Sequence, residues 1–271
     1  MSAKFGLIGG GVMGEALLSR LVAQKIYLPQ EVIVSEPQPQ RRDFLAQQYG
    51  VSVTPENKVA FQATEVVLLA IKPQAFAAVA GQLIDQIDQT IRDRPLVLSI
   101  LAGVPLQKLE AAFPECPVVR AMPNTPATVG AGMTAIAAGQ LAQPAHLEQA
   151  RTIFQAVGEV VEVPENLLDA VTGLSGSGPG YVAIAIEALT DGGVAAGLPR
   201  AIAAKLALQT VLGTAQLLHE SGMHPAELKD RVTSPGGTTI TGIAQLEQAG
   251  FRSALIQAVT KACDRAKELG S

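Results

Sequence analysis

The spacing of apolar positions changes rhythm once along this chain. Up to Pro164, short β-branched runs alternate with longer segments of helical spacing. KFGLIG (4–9), EVIVS (31–35), EVVLLAI (65–71), PLVLSI (95–100), CPVVRA (116–121), MTAIAA (133–138) and EVVEV (159–163) read as strands. Several are apolar on both faces, as strands buried in a parallel sheet are. Between them, QAFAAVAGQLIDQI (74–87) and PAHLEQARTIFQAVG (144–158) carry the helical period. Such alternation predicts a doubly wound α/β domain with a parallel sheet over residues 1–164.

After Pro164 the strand pattern stops. Segments 165–174, 181–197, 199–220, 225–232 and 253–270 read as helices, and a further helix opens near Thr238. Prolines 199 and 225 stand at first turns, where a missing N–H costs nothing. The terminal helix has one apolar stripe at Leu255, Val259, Ala262, Ala266 and Leu269. The helices at 181–197 and 199–220 are apolar nearly all round, with few charges besides Glu187, Asp191 and Lys205. Such helices need cover on several sides, more than a small helical domain over 165–271 supplies. A second copy of the chain is the expected cover.

Composition narrows the class. Of 271 residues, 48% are apolar and only 16% charged, which agrees with surface lost to a subunit contact. A net charge of -4 leaves no basic footprint for nucleic acid. Cys116 and Cys263 lie far apart in apolar contexts and point to a reducing, cytoplasmic setting. The first residues are too glycine-rich for a signal peptide. The run 181–197, taken as the most apolar, is interrupted by Glu187, Asp191 and paired glycines and fails the length test for a membrane span. His146, His219 and His224 lack ligand spacing, and no Cys/His/Asp cluster suggests a metal.

IGGGVMGEAL places Gly9, Gly11 and Gly14 in G-x-G-x-x-G spacing, directly after a strand and opening a helix. That is the dinucleotide fingerprint: a tight turn, a close approach to pyrophosphate, and close helix–strand packing. The second strand runs into Glu36, twenty-two positions after Gly14. A carboxylate there binds ribose hydroxyls and repels a 2′-phosphate, whereas Arg41 and Arg42 on the next turn could reach one. The choice between NADH and NADPH stays open on this pattern. Lys72-Pro73 follows the strand at 65–71, and the loop RAMPNTPATVGAG (120–132) follows another; either lines a ligand crevice or routes the chain. Near the far end, TSPGGTTITG (233–242) sets Pro235, Gly236 and Gly237 before three threonines within four positions. Flexible backbone opening a helix is a cradle for an anion, distinct from the pyrophosphate loop. The plainer alternative is a helix cap by Thr238.

With those motifs in view the chain resembles the pyrroline-5-carboxylate reductase family. The resemblance runs through IGGGVMG, AIKPQ, RAMPNTPATVGAG, DAVTGLSGSGPGYV, DGGVAAGLPR and HPAELKDRVTSPGGTTI. It implies an N-terminal Rossmann-type domain and a C-terminal helical domain that interlocks with its copy in a dimer, with dimers assembling further. It implies reduction of 1-pyrroline-5-carboxylate to L-proline by NADPH or NADH. Nucleotide contacts are implied at Gly9, Gly11, Val12, Met13, Gly14, Glu36, Asn57, Ala70, Ile71, Lys72 and Pro73. Substrate contacts are implied at Ser234, Gly236, Gly237, Thr238 and Thr239, with the cradle completing the partner chain's site. Thr239 is the implied hydroxyl donor to the ring nitrogen, and Glu165 the implied carboxylate facing it. A hydroxyacid-dehydrogenase layout is disfavoured because SGSGPGYVAIAIEAL has no lysine. A nucleotide sensor without catalysis is disfavoured by the second cradle.

Overall fold

The computed structural model describes residues 3–83 and 94–270. They form two compact units, one running to Gly176 and including the chain from Lys261 onward, the other Ser177–Thr260.

In the first unit the elements are β1 (Phe5–Ile8), α1 (Val12–Ala23), β2 (Val32–Ser35), α2 (Pro39–Tyr49), β3 (Ser52–Thr54), α3 (Asn57–Phe61), β4 (Val66–Leu69), α4 (Phe76–Leu83), β5 (Leu96–Ser99), α5 (Leu106–Ala112), β6 (Val118–Met122), β7 (Gly132–Ala138), α6 (Pro144–Gln155), β8 (Gly158–Glu162) and α7 (Leu168–Val171). The last positions of the helical reading at 74–87, residues 84–87, lie outside the described residues. One eight-stranded sheet runs in the order β3-β2-β1-β4-β5-β6-β7-β8. Its first six strands are parallel. β7 departs from the parallel sheet expected: it pairs antiparallel to β6, and β8 follows β7 in parallel. The residues 123–131 between β6 and β7 hold only a short 3₁₀ turn, too little chain for a crossover. β3 is a further strand, too short to show an alternation.

Successive strand residues feed opposite faces of the sheet. Phe5, Leu7, Val34, Leu68 and Leu98 pack with Leu17, Leu21, Leu45 and Phe154 from α1, α2 and α6. Ile8, Val67, Leu69 and Val97 pack with Phe61, Val79 and Leu109 from α3, α4 and α5, and with Phe113. Cys116 lies in this second core, and burial pushes its thiol up from the ordinary range.

The second unit holds α8 (Gly178–Ala195), α9 (Arg200–Ser221), α10 (Pro225–Arg231), α11 (Thr238–Gln248) and the start of α12 (Phe251–Gly270). The segment read as a single helix at 165–174 is instead a 3₁₀ turn, α7, and a π-helical turn at Thr172–Gly176. In this chain Val182, Ile184 and Leu189 of α8 and Ile202, Leu206, Leu208, Leu212 and Leu217 of α9 are exposed. Large apolar side chains exposed in such number on two neighbouring helices are the mark of an interaction surface. α9, rather than the run 181–197 that the sequence pattern singles out, is long and apolar enough to cross a membrane by length and composition. On α12 the expected stripe is only partly covered: Ala266 is buried, but Leu255 and Leu269 are exposed.

The turn between β1 and α1 is set by backbone proximity. Gly9 has φ +104°, and a Cβ there would lie 2.6 Å from the Ala70 carbonyl oxygen. A Cβ on Gly14 would lie 2.2 Å from the Gly9 carbonyl oxygen. Gly14→Ala is therefore expected to destabilise the protein by about 2 kcal/mol. Urea unfolding at fixed protein concentration checks this; a loss under about 0.5 kcal/mol would show that the turn relaxes.

Candidate active site

β1 and β4 are neighbours at the centre of the sheet, where the strand order reverses. In open α/β sheets the carboxyl ends at such a point form the ligand crevice. β1 delivers the glycine turn there, and β4 delivers Lys72 and Pro73. Ala70 N–H donates to the Ile8 carbonyl at 2.8 Å, so the two strand ends stay in register. Gly11 is the N-cap of α1, with extended backbone and no side-chain cap. A Cβ on Gly11 would meet nothing within 4 Å, so its outer side is open. Val12 beside it is 72% exposed, and Met13 is half-buried. An open N-terminus on a helix of 12 residues attracts an anion through its N–H groups and its dipole.

The carboxyl end of β2 closes one side of this turn. Glu36 is 7% exposed. Its Oε2 accepts the Gly10 N–H at 3.1 Å and its Oε1 the Gln38 N–H at 3.0 Å. Arg41 donates from Nε to the Gly10 carbonyl at 2.7 Å and pairs through Nη2 with Glu15. Tyr49 donates its hydroxyl to Glu15 at 2.7 Å. Burial pushes the Glu15 carboxyl up, but hydrogen bonds from Arg41 and Tyr49, together with the guanidinium charge, outweigh it and hold the group below its usual range. The Tyr49 phenol is pushed up to about 12 by burial and by its bond to Glu15. Arg42 Nη1 donates to the carbonyls of Glu36 and Pro37 at 2.8 and 2.9 Å. Asn57, first residue of α3, accepts the Ser35 hydroxyl at 2.7 Å and donates to Gln82 at 2.9 Å. Residues 9–14, 36, 57 and 70–73, expected on the nucleotide side, thus sit around the ends of β1, β2 and β4.

Lys72 and Pro73 begin a short 3₁₀ turn at Pro73–Ala75; the lysine is exposed, and Ile71 is half-buried. The loop after β6 is organised by Asn124. Its amide donates to the Ser175 carbonyl at 3.0 Å and accepts the Met133 N–H at 2.9 Å, joining β7 to the π-helical turn.

Glu165 has an internal partner that the sequence pattern did not name. Its Oε1 accepts the Leu106 N–H at 2.6 Å, at the start of α5, and Arg120 Nη1 at 2.9 Å. Arg120 is 7% exposed on β6. A buried guanidinium needs a carboxylate, and an arginine inside the apolar run CPVVRA is the signal that one must be near. The expectation that Glu165 faces a ring nitrogen therefore meets a competing engagement, since its carboxylate already answers two donors.

In the second unit, Gly237 N–H donates to the Ser234 carbonyl at 3.0 Å, and Gly236 has φ +66°. Pro235 and Gly236 occupy the central positions of a type II turn, the sequence order that turn requires. Gly237 is the N-cap of α11, which has no side-chain cap. Thr238 is the first helical residue rather than the cap, so the plain capping role considered for it is not what the structure shows. Thr238 and Thr239 are exposed. Their helix start is open to an anion in the same way as α1.

His146 and His224 each accept a backbone N–H through Nδ1 at helix starts, from Gln143 and Ala226. Among the described residues no group of three His, Cys, Asp or Glu could hold a metal ion.

Comparison with known proteins gives this geometry a family. A family model described as "Pyrroline-5-carboxylate reductase dimerisation" matches residues 165–269, and one described as "NADP oxidoreductase coenzyme F420-dependent" matches residues 4–103. A pyrroline-5-carboxylate reductase of Synechocystis sp. is 61% identical over 270 residues, covering 100% of this chain and 99% of the relative. The solved pyrroline-5-carboxylate reductase of Coxiella burnetii superposes with a TM-score of 0.91 at 36% identity, covering 100% of both chains. That of Plasmodium falciparum, solved with NADP bound, gives 0.87 at 29% identity, covering 99% of this chain and 98% of that one. Full-length identity to a curated relative, the dimerisation match and the shared fold agree: the chain belongs to the pyrroline-5-carboxylate reductase family.

Proposed function

We propose that this protein reduces the imine of 1-pyrroline-5-carboxylate to L-proline at the expense of NADPH or NADH, in the cytoplasm, as a homodimer that assembles further. It binds neither nucleic acid nor a membrane in doing so. The observation that carries the reading is a pair of open helix N-termini, each entered through a glycine turn: α1 behind Gly11 and α11 behind Gly237. A dinucleotide presents a pyrophosphate and the imine substrate a carboxylate, so two separate anion cradles are what this pair of reactants needs.

The residues present fit the dinucleotide. The space outside Gly11 admits a phosphate, and Glu36 stands beside the turn as an acceptor. Residues 9–14 hold the pyrophosphate, Glu36 and Asn57 take the adenosine side, and residues 70–73 line the far wall. When bound, the dinucleotide supplies the hydride. The hydride is accepted by the imine carbon, and the neutral imine nitrogen, which gains negative charge as the C=N bond opens, takes up one proton from solvent to make the product an amine. The turn at 234–237 and the N–H groups of Thr238 and Thr239 hold the substrate carboxylate. The Thr239 hydroxyl donates to the ring nitrogen and orients the ring. Placement accounts for most of the work, because fixing two reactants face to face removes the entropy of bringing them together. Glu165 is engaged through Oε1 with Arg120 and the start of α5, which ties the segment after β8 to β6.

The uncovered apolar surface of α8 and α9 supports the dimer, and the dimerisation match spans both helices. The cradle of one chain then serves the glycine turn of the other.

Absorbance loss of NADH and of NADPH with pyrroline-5-carboxylate, matched to proline formed, tests the reading. Binding of the nucleotide without turnover would leave a sensor instead. Gly11→Ala is expected to keep the fold, since its methyl meets no protein atom, and to weaken nucleotide binding. An unchanged dissociation constant by calorimetry would move the pyrophosphate elsewhere. Thr239→Ala is expected to lower kcat and kcat/KM together by roughly ten- to a hundredfold, the worth of one hydrogen bond to a charged group. A rise in KM alone would reduce Thr239 to a binding contact.

Chain sharing has its own test. Gly11→Asp disables the nucleotide turn of one mutant. Thr239→Ala with Gly237→Val disables the cradle of another, since a Cβ on Gly237 would lie 2.3 Å from Ser234 Oγ. Unfolded and refolded together, the two inactive chains are expected to regain activity. A mixture that stays inactive, or an active monomer in sedimentation, would refute the sharing.

A further inference from the structure

The family model matched over residues 4–103 and the Plasmodium falciparum relative both name NADP, yet the end of β2 in this chain carries features that bear on the choice of nucleotide. Glu36 is nearly buried, yet both carboxylate oxygens are placed. Oε2 accepts the Gly10 N–H at 3.1 Å, inside the glycine turn, and Oε1 accepts the Gln38 N–H at 3.0 Å. Two backbone bonds fix the plane of the carboxylate, so it cannot swing away to make room. Each oxygen keeps a further lone pair. Because Glu36 is bonded to the turn itself, a ribose attached to a pyrophosphate at that turn comes within its reach. A ribose with free hydroxyls offers donors to those lone pairs. A ribose 2′-phosphate offers only acceptors and a like charge.

A 2′-phosphate needs a cation, and two arginines lie close by. Each already gives donors to the protein. Arg41 donates from Nε to the Gly10 carbonyl at 2.7 Å, and its Nη2 pairs with Glu15. Its guanidinium carbon lies 5.0 Å from the centre of the Phe44 ring. Glu15 is held in turn by the Tyr49 hydroxyl. Arg42 turns back onto the carbonyls of Glu36 and Pro37. The arginines brace the turn and the chain leaving β2, and the group left facing the ribose position is an anion.

We propose that Glu36 is the specificity-determining residue of the nucleotide site and selects NADH over NADPH, with Arg41 and Arg42 bracing the turn rather than reading a phosphate. The proposal rests on the reductase reading only for the class of nucleotide. It says nothing of the imine substrate, so nucleotide binding alone tests it.

Calorimetric titration of the full-length protein with NADH and with NADPH, without imine, is the experiment. NADH is expected to bind about tenfold or more tightly than NADPH. Glu36→Ser is expected to move the ratio of the two dissociation constants toward NADPH by about tenfold or more. Glu36→Gln, nearly the same shape without the charge, should move it the same way and decides the matter if the serine variant fails to fold. Arg41→Ala is expected to weaken both nucleotides by one common factor. Equal affinities in the wild type, an unmoved ratio in both Glu36 variants, or a selective loss of NADPH in Arg41→Ala would each overturn the proposal. A protein that fails to turn over pyrroline-5-carboxylate yet shows these ratios would sink the reductase reading and leave the role of Glu36 intact.

Discussion

At the carboxyl end of β1 there is room for backbone and nothing more. The Ala70 carbonyl stands where a side chain on Gly9 would begin, and the Gly9 carbonyl stands where one on Gly14 would. This closeness lets α1 start immediately beside the strand with its N-terminus facing outward. It also lets β4 run against β1 in full register, which brings Lys72 and Pro73 to the same edge. Every nucleotide contact proposed for the chain depends on that approach. Loosening it by one methyl group moves the helix start and the neighbouring strand exit together.

In the first unit the buried and half-buried charges of Glu36, Arg41 and Arg120 each answer a donor or an opposite charge. Glu36 answers two backbone N–H groups, Arg41 answers Glu15 and a carbonyl, and Arg120 answers Glu165. Removing such groups from water is costly unless they are paired, so the pairs fix the geometry of whatever they touch. One set holds the glycine turn to the end of β2. The other holds the segment after β8 to β6 and the start of α5. The same physics that shapes the turn leaves the Glu36 carboxylate bonded to the Gly10 N–H inside it.

The second unit solves a different problem. α8 and α9 bury almost none of their apolar surface within one chain: Thr190, Ala203 and Ala207 are their buried residues. Helices of that composition gain their stability from another surface rather than from propensity. Dimerisation is thus part of how this unit folds, not an addition to a finished domain.

Local rules carried much of this into the sequence. Runs apolar on both faces marked buried strands because a strand covered by helices on each side has no polar face. The glycine spacing marked the first turn because no other residue fits the contact. Pro235 followed by two glycines marked a turn because one fixes φ and the others free it, and the structure makes it a type II turn. What the sequence could not determine depends on pairing between distant segments. β7 reverses because its link from β6 is too short to cross over, and its own pattern is indifferent to direction. Whether 165–174 continues as one helix or breaks into a π turn is settled by what it packs against. The sequence shows Arg41 and Arg42 as two charges after β2, and only the structure shows Glu15 bonded to one and two carbonyls to the other. For Glu165 the sequence pattern does not name its partner Arg120. A single sequence shows that a charge is present. Only the tertiary structure shows which partner has already neutralised it, because the partner lies 26 or 45 residues away along the chain.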